Sequence, residues 1–150
     1  MTSWVVADSG IPLATVLVEP NRERAKALLR YWASNDIQVA APTLFRYEIV
    51  AVIRKHVYRD TFTLEDGLRA RNQLMSEPVH LMMTDDLLRR GYELATQFNR
   101  PTAYDTQYLA VAENLGCDFW TADEKMFNVF SVALPWVKWI GNFTLPNPTV

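Results

Sequence analysis

Short apolar runs alternate along the chain with longer stretches in which apolar positions recur every three or four residues. The runs are broken by turn residues and carry β-branched or aromatic side chains, a pattern typical of buried parallel strands. They predict strands at residues 4–7, 37–41, 79–82, 119–121 and 137–140.

The periodic stretches between these runs predict helices, most of which follow a residue suited to cap them. Glycine and proline mark where several of them end or begin. Helices are expected over residues 11–17, after Asn21, after Thr43 to about 58, after Thr63 to about 75, after Thr84, and over residues 103–115, ended by Gly116.

Strands that alternate with helices predict an α/β fold. We expect a three-layer α/β/α sandwich around a mostly parallel sheet of four or five strands. The length suits one compact domain over residues 1–150. Residues 141–150, which hold two Pro and two Asn, are expected to be a loose tail of that domain.

Four acids fall at the carboxyl edge of the predicted sheet. Asp8 follows the first strand, and Asp123 lies two residues after the fourth. Asp105 is in the first turn of a helix that runs back to this edge. Glu48, in an otherwise apolar segment where a buried acid needs a partner, lies roughly 7.5 Å below the edge at about 1.5 Å per helical residue. Because ligands bind beyond the carboxyl ends of parallel strands, we expect the four to form a site.

Three of these acids also have a structural interpretation. Asp8 is suited to an Asx turn, and Asp105 and Asp123 are suited to the first turn of a helix, where the helix dipole favours an acid. Thr121 and Glu124 match a capping box, so we interpret Glu124 as a cap partner rather than a ligand.

Carboxylates packed closely repel one another unless a cation intervenes. Ligand sets made only of oxygen favour Mg²⁺ or Mn²⁺ over zinc, and Cys117, His56 and His80 show no zinc-ligand spacing. A carboxylate-held Mg²⁺ with open positions suits phosphate chemistry. We therefore predict that the four acids bind Mg²⁺ (or Mn²⁺) and are the catalytic residues.

Composition narrows the class of protein further. A hydrophobic share of 49% is that of a globular chain, and a single cysteine cannot form an internal disulfide, which fits a reducing compartment. The sequence shows no signal peptide and no apolar run long enough for a membrane helix, so we expect a cytoplasmic protein without a membrane partner. The net charge of −2 neither supports nor excludes RNA as a partner.

Three segments together resemble a known family. They are residues 5–9 (Val-Val-Ala-Asp-Ser), residues 42–54 with Pro42, Phe45 and Glu48, and residues 102–123 with Thr-Ala-Tyr-Asp, Leu-Gly and Thr-Ala-Asp. In order and spacing the chain resembles PIN-domain ribonucleases, and among them the VapC-type toxins of prokaryotic toxin–antitoxin pairs. The similarity covers residues 4–140, and its third segment is the most specific.

The resemblance implies an activity and partners. Asp8, Glu48, Asp105 and Asp123 would hold one or two Mg²⁺ or Mn²⁺ ions, and a bound water would cleave single-stranded or looped RNA to leave 5′-phosphate and 3′-hydroxyl ends. It also implies a homodimer and a cognate antitoxin protein, a segment of which lies in an apolar groove between helices.

Two hydroxyl residues are expected to support this site. Family members often carry a small hydroxyl or amide residue two places after the first Asp, but here that place is Gly10 and Ser9 comes one place early. Thr121 matches the family's hydroxyl before the last Asp, and its alternative role is to cap the helix that follows.

We considered three other functions, of which one stays open and two are disfavoured. The same fold could serve housekeeping RNA processing rather than a toxin, and the sequence does not separate the two. A catalytically inactive PIN-like module that only binds RNA or protein is disfavoured because all four acids are present. A phosphotransfer protein with Asp8 as nucleophile is disfavoured because Gly10 replaces the second acid of haloacid dehalogenases, and no acid pair precedes Asp8 as in receivers.

The remaining candidates have structural interpretations. We expect Cys117 to pack in the interior, His56 to lie on a helix surface and His80 in a strand. The basic residues 54, 55 and 59 suit a helix C-terminus, with RNA contact as the alternative. The segment 136–139 (Trp-Val-Lys-Trp) is expected to be an edge strand rather than a platform for stacking bases.

Overall fold

A computed structural model describes residues 2–146, which contain a five-stranded sheet whose neighbouring strands are all parallel. The strands lie in the order β3-β2-β1-β4-β5. They are β1 (Ser3–Ala7), β2 (Ile37–Pro42), β3 (His80–Met82), β4 (Phe119–Thr121) and β5 (Val137–Trp139). The predicted strands are confirmed, with every boundary within one residue.

The described residues also contain seven helices, which lie between the strands, and one 3₁₀ turn after β5. Their bounds are α1 (Gly10–Ala14), α2 (Arg22–Ser34), α3 (Leu44–Tyr58), α4 (Leu64–Met75), α5 (Asp85–Gln97), α6 (Asp105–Leu115), α7 (Glu124–Phe130) and the 3₁₀ turn Ile140–Asn142. None of the helices in residues 2–146 has the length and apolar character needed to cross a bilayer.

The predicted helix ends are confirmed at three positions. The hydroxyl oxygens of Thr63 and Thr84 accept hydrogen bonds from backbone N–H groups in the first turns of α4 and α5, at 3.0 and 3.1 Å. Gly116 ends α6 with a φ of 65°, the left-handed conformation that glycine adopts without strain. Asn21 and Thr43 occupy the cap positions of α2 and α3, but their side chains make no capping hydrogen bond.

Two helices are shorter than predicted. Helix α6 begins at Asp105 instead of residue 103, and α1 ends at Ala14 instead of residue 17. The reason at α1 is local: both the backbone N–H and the hydroxyl of Thr15 donate to the carbonyl of Pro12, which closes the helix with a tight last turn.

The core has two parts, one on each face of the sheet, as a three-layer sandwich requires. In β1 the side chain of Val6 belongs to one cluster, while Val5 and Ala7 belong to the other. The first cluster joins the sheet to α3, α4, α5, α6 and α7 and includes Leu13 of α1. The second cluster joins the sheet to the other residues of α1, to α2 and to the 3₁₀ turn. The alternation of side chains along a strand produces this division, and the predicted α/β/α architecture is confirmed.

The carboxyl edge of the sheet is formed by the ends of β1, β2 and β4. Ala7 is in register with Trp120, and the N–H of Asp8 donates to the Trp120 carbonyl at 3.1 Å. Helix α6 packs against β1 and β2 and leads into β4. Its first residue therefore lies at the same edge of the sheet.

The start of the predicted loose tail is packed against the domain. The carbonyl of Phe143 accepts a hydrogen bond from Arg24 Nε at 3.2 Å, and its ring meets Trp120 edge-on. Gly141 allows this path, since a Cβ there would lie 2.3 Å from the Trp139 ring. Residues 147–150 of the predicted tail lie outside the described residues.

Candidate active site

Asp8 is the most deeply buried of the four acids, with 7% of its surface exposed. The Thr121 hydroxyl donates to its Oδ2, and the Ala122 N–H donates to its Oδ1 at 3.4 Å. Burial raises the pKa of Asp8 to about 7, and the nearby charge of Glu48 adds to the rise, while the two hydrogen bonds oppose it. In the folded, metal-free protein the protonated and ionised forms of this carboxyl are therefore both populated near neutral pH.

Gly10 is required by close contact between two loops. A Cβ at this position would lie 2.8 Å from the Cβ of Ala122 and 3.2 Å from Asp8 Oδ1. The turn after β1 thus packs directly against the turn after β4, and a side chain two places after Asp8 would separate them. This contact explains why glycine stands where the resembled family often has a polar residue.

Glu48 projects from the second turn of α3 and is half-buried. The Tyr108 hydroxyl donates to its Oε1 at 2.5 Å. Burial raises the pKa of Glu48, and the charge of Asp105 raises it further, while hydrogen bonds from Tyr108 and Ser9 lower it. The hydroxyl of Ser9, one place early by the family pattern, is thus near enough to lower the pKa of Glu48.

Asp105 is the first residue of α6 and is half-buried near the exposed Asp123. Its pKa is raised by burial and by the charge of Asp123, and is lowered by Arg100. Asp123 caps α7, with its Oδ1 accepting from the backbone N–H groups of Lys125 and Met126 at 2.9 and 3.3 Å. The structural interpretation of Asp123 is thus correct, and it engages one of the two carboxylate oxygens.

The four predicted acids lie in a row along the sheet edge. Asp8 lies within electrostatic reach of Glu48, Glu48 within reach of Asp105, and Asp105 within reach of Asp123. Within residues 2–146, however, no three His, Cys, Asp or Glu side chains are arranged so that they already enclose a metal ion. The acids are electrostatic neighbours rather than a closed cage, and their role as ligands stays a prediction.

The predicted capping box of Thr121 and Glu124 is wrong. Helix α7 begins at Glu124, so the residue that caps it is Asp123, and Thr121 is the last residue of β4. The buried hydroxyl of Thr121 instead donates to Asp8 and accepts from the Asp123 N–H at 2.9 Å. Thr121 therefore links two of the acids and does not take its alternative role as the cap of the helix that follows.

Tyr108 was not among the candidates from the sequence. Its hydroxyl nevertheless donates a hydrogen bond to Glu48, and burial raises its pKa. The available signal was chemical: a tyrosine on a face otherwise made of Leu, Val and Ala must find a partner for its hydroxyl when it is buried.

The minor candidates have the structural positions expected of them. His56 lies on α3, where its ring pairs with the Thr61 hydroxyl at 2.7 Å, and His80 packs edge-on against Trp4 from β3. Cys117 is half-buried against the larger core cluster. The basic residues 54, 55 and 59 are exposed at the opposite end of α3 from Glu48, and β5 is an edge strand.

Comparisons with known proteins agree with this architecture. The sequence model of the PIN domain matches residues 5–131. Over 131 residues the chain is 29% identical to Ribonuclease VapC9 of Mycobacterium tuberculosis, covering 87% of this chain and 94% of the relative.

Two solved structures share the fold at low sequence identity. A toxin–antitoxin complex from Klebsiella pneumoniae gives a TM-score of 0.62 at 19% identity, covering 89% of this chain and 94% of that one. VapC20 of Mycobacterium tuberculosis, described as a Sarcin-Ricin loop cleaving toxin, gives 0.61 at 16% identity, covering 84% and 95%. With the family model matched over most of its length, the chain belongs to the PIN domain family.

Proposed function

We propose that this protein is a metal-dependent endoribonuclease and the toxin of a toxin–antitoxin pair, with Asp8, Glu48, Asp105 and Asp123 as its catalytic residues. The row of acids at the sheet edge carries the proposal. Three of them have a raised pKa, each in part because of the next acid in the row. Burying carboxylates beside one another costs free energy, and sites that accept this cost are frequently functional.

The donor set fits Mg²⁺ or Mn²⁺. All four groups are carboxylates, the ligands that hard divalent cations prefer. Oδ1 of Asp123 accepts both hydrogen bonds that cap α7, and Oδ2 accepts neither of them. Because no three acids enclose an ion within residues 2–146, the proposal requires the half-buried side chains of Glu48 and Asp105 to adjust when a cation binds.

The residues around the four acids have separate roles in the proposed reaction. A divalent cation, when bound, lowers the pKa of a water and stabilises the leaving oxygen of a phosphodiester. The Thr121 hydroxyl and the Ala122 N–H hold the two oxygens of Asp8 in place. Two backbone N–H groups hold Asp123. Attack of water on the phosphorus with departure of the ribose 3′ oxygen would leave the 5′-phosphate and 3′-hydroxyl ends that the family resemblance implies.

RNA and an antitoxin are the proposed partners. The relative VapC9 is named a ribonuclease, VapC20 is described as a Sarcin-Ricin loop cleaving toxin, and the Klebsiella structure is a toxin–antitoxin complex. An apolar groove of about 200 Å³ between α3 and α4 suits the antitoxin segment, and its apolar lining includes Val50, Ile53, Val57, Leu64 and Leu68. A small antitoxin-like reading frame directly upstream would distinguish a toxin from a housekeeping nuclease.

The test is cleavage of RNA by the purified protein. We expect cleavage with Mg²⁺ or Mn²⁺ and none with EDTA, because the carboxylates need the cation. Asp8→Asn should lower the rate by orders of magnitude. Glu124→Gln is the control, since Glu124 is an exposed acid in the first turn of α7 whose side chain makes no hydrogen bond or ion pair within residues 2–146. Activity in EDTA, 2′,3′-cyclic phosphate ends, or equal losses in the two variants would contradict the proposal.

A further inference from the structure

Tyr108 differs from every other tyrosine of the chain. The sequence has six tyrosines, and five of them are between 51% and 77% exposed. Tyr108 is 1% exposed. Its hydroxyl is thus a polar group carried into the interior, where an unpaired hydroxyl would cost free energy.

The ring of Tyr108 is fixed by packing in the core and by its place on α6. It stacks on Phe119 of β4 with centroids 5.6 Å apart and an angle of 22° between the rings. It lies three residues after Asp105, so both side chains are on the same side of the helix. The ring therefore has little freedom, and its hydroxyl has a fixed place beside the row of acids.

That hydroxyl contacts an acid from a different helix. Glu48 lies 60 residues earlier, on α3, and its Oε1 accepts the Tyr108 hydroxyl at 2.5 Å. A glutamate side chain has several rotatable bonds and loses rotamer freedom when it is held in one orientation. The Tyr108 hydroxyl holds this carboxylate in one orientation before any ligand arrives.

We infer that Tyr108 is a positioning residue, which orients the Glu48 carboxylate to receive a divalent cation. The inference rests on the proposed function, because it takes Glu48 as a ligand. Groups that hydrogen-bond to metal ligands fix the orientation of those ligands, and their loss typically weakens metal binding about 10- to 100-fold.

The test is Mn²⁺ binding in the absence of RNA, followed by the EPR signal of free Mn²⁺. Tyr108→Phe keeps the ring and its stacking on Phe119 and removes only the hydroxyl. We expect its Kd for Mn²⁺ to rise about tenfold over wild type. Tyr92→Phe, which removes a hydroxyl from a tyrosine that is 70% exposed, should bind as wild type does.

A double-mutant cycle shows whether Tyr108 acts through Glu48. If it does, Tyr108→Phe should have little further effect on Mn²⁺ binding in a Glu48→Gln background. An equal loss in both backgrounds would mean that the hydroxyl supports the fold in general, and would overturn the inference. Unchanged Mn²⁺ binding by Tyr108→Phe would overturn it as well, while leaving the proposed function intact. Failure of the wild type to bind Mn²⁺ would instead remove the proposed function, and the inference with it.

A measurement on the wild type covers the case in which Tyr108→Phe does not fold. Tyrosine labelled with ¹³C at Cζ gives one NMR signal per residue. The signal of Tyr108 is the one that a soluble paramagnetic agent broadens least, because the other five tyrosines are exposed. Adding Mg²⁺ should shift this signal in a saturable manner, since its hydrogen-bond partner becomes a ligand. A wild-type protein that binds Mg²⁺ without moving this signal would refute the positioning role.

Discussion

Replacing Asp8 with asparagine should stabilise the metal-free protein above neutral pH. Burial raises the pKa of Asp8 from 3.8 to about 7 in the folded protein. In the unfolded chain the carboxyl is hydrated and titrates near its ordinary value. Between these two values the folded state holds a proton that the unfolded state has released, so the free energy of unfolding falls as the pH rises.

The size of the effect follows from the two pKa values. Below the lower value both states are protonated, and Asp8 contributes no pH dependence. Above the higher value both are ionised, and the buried charge costs about 4 kcal/mol of stability at about 1.4 kcal/mol per unit of pKa. About 2 kcal/mol of this is lost between about pH 5.5 and 8. The amide in Asp8→Asn has no charge and accepts the same Thr121 hydrogen bond, so that variant should escape the loss.

The assay is urea unfolding in EDTA at about pH 5.5 and 8, with wild type, Asp8→Asn and Glu124→Gln. The quantity compared is the change in unfolding free energy between the two pH values, so that contributions from the two histidines, common to all three proteins, cancel. Glu124→Gln should decline with pH as wild type does. If Asp8→Asn declines by the same amount as wild type, the Asp8 carboxyl does not titrate in this interval and the reasoning from burial is refuted.

Two further variants test how the acids are held. Thr121→Val removes the hydroxyl that donates to Asp8 while keeping its shape; we expect RNA cleavage to fall about tenfold, as for loss of other groups that orient metal ligands, whereas Thr121→Ser should keep most of the activity. Equal rates for the two variants would contradict this. Asp123→Asn keeps a residue that caps helices as well as aspartate does, so its Tm in EDTA should equal or exceed that of wild type. It should gain less from Mn²⁺ than the roughly 2.7 kcal/mol expected of wild type at a hundredfold excess over Kd. A lower Tm with a full response to Mn²⁺ would leave Asp123 as a cap alone.

The strands, most helices and the parallel α/β/α architecture of this protein were accessible from the sequence, whereas the order of the strands in the sheet was not predicted. Five strands were predicted within one residue of their ends, because apolar runs bounded by turn residues have few alternatives. The caps at Thr63 and Thr84 and the stop at Gly116 were equally clear, since each depends on residues within one helical turn. Chain direction in a parallel sheet then brought the four acids to one edge without knowledge of any contact.

The chemistry around those acids was decided by the tertiary structure. Whether Thr121 caps a helix or holds Asp8 depends on a contact between positions 113 residues apart, and the local pattern favoured the capping box that does not form. The contact of Tyr108 with Glu48 likewise joins two residues that are 60 positions apart in the chain. The raised pKa of Asp8 arises from burial, a property of the packed sheet edge and not of any sequence window. Periodicity and capping act over a few residues, while hydrogen bonds and desolvation at this site depend on which segments the fold packs together.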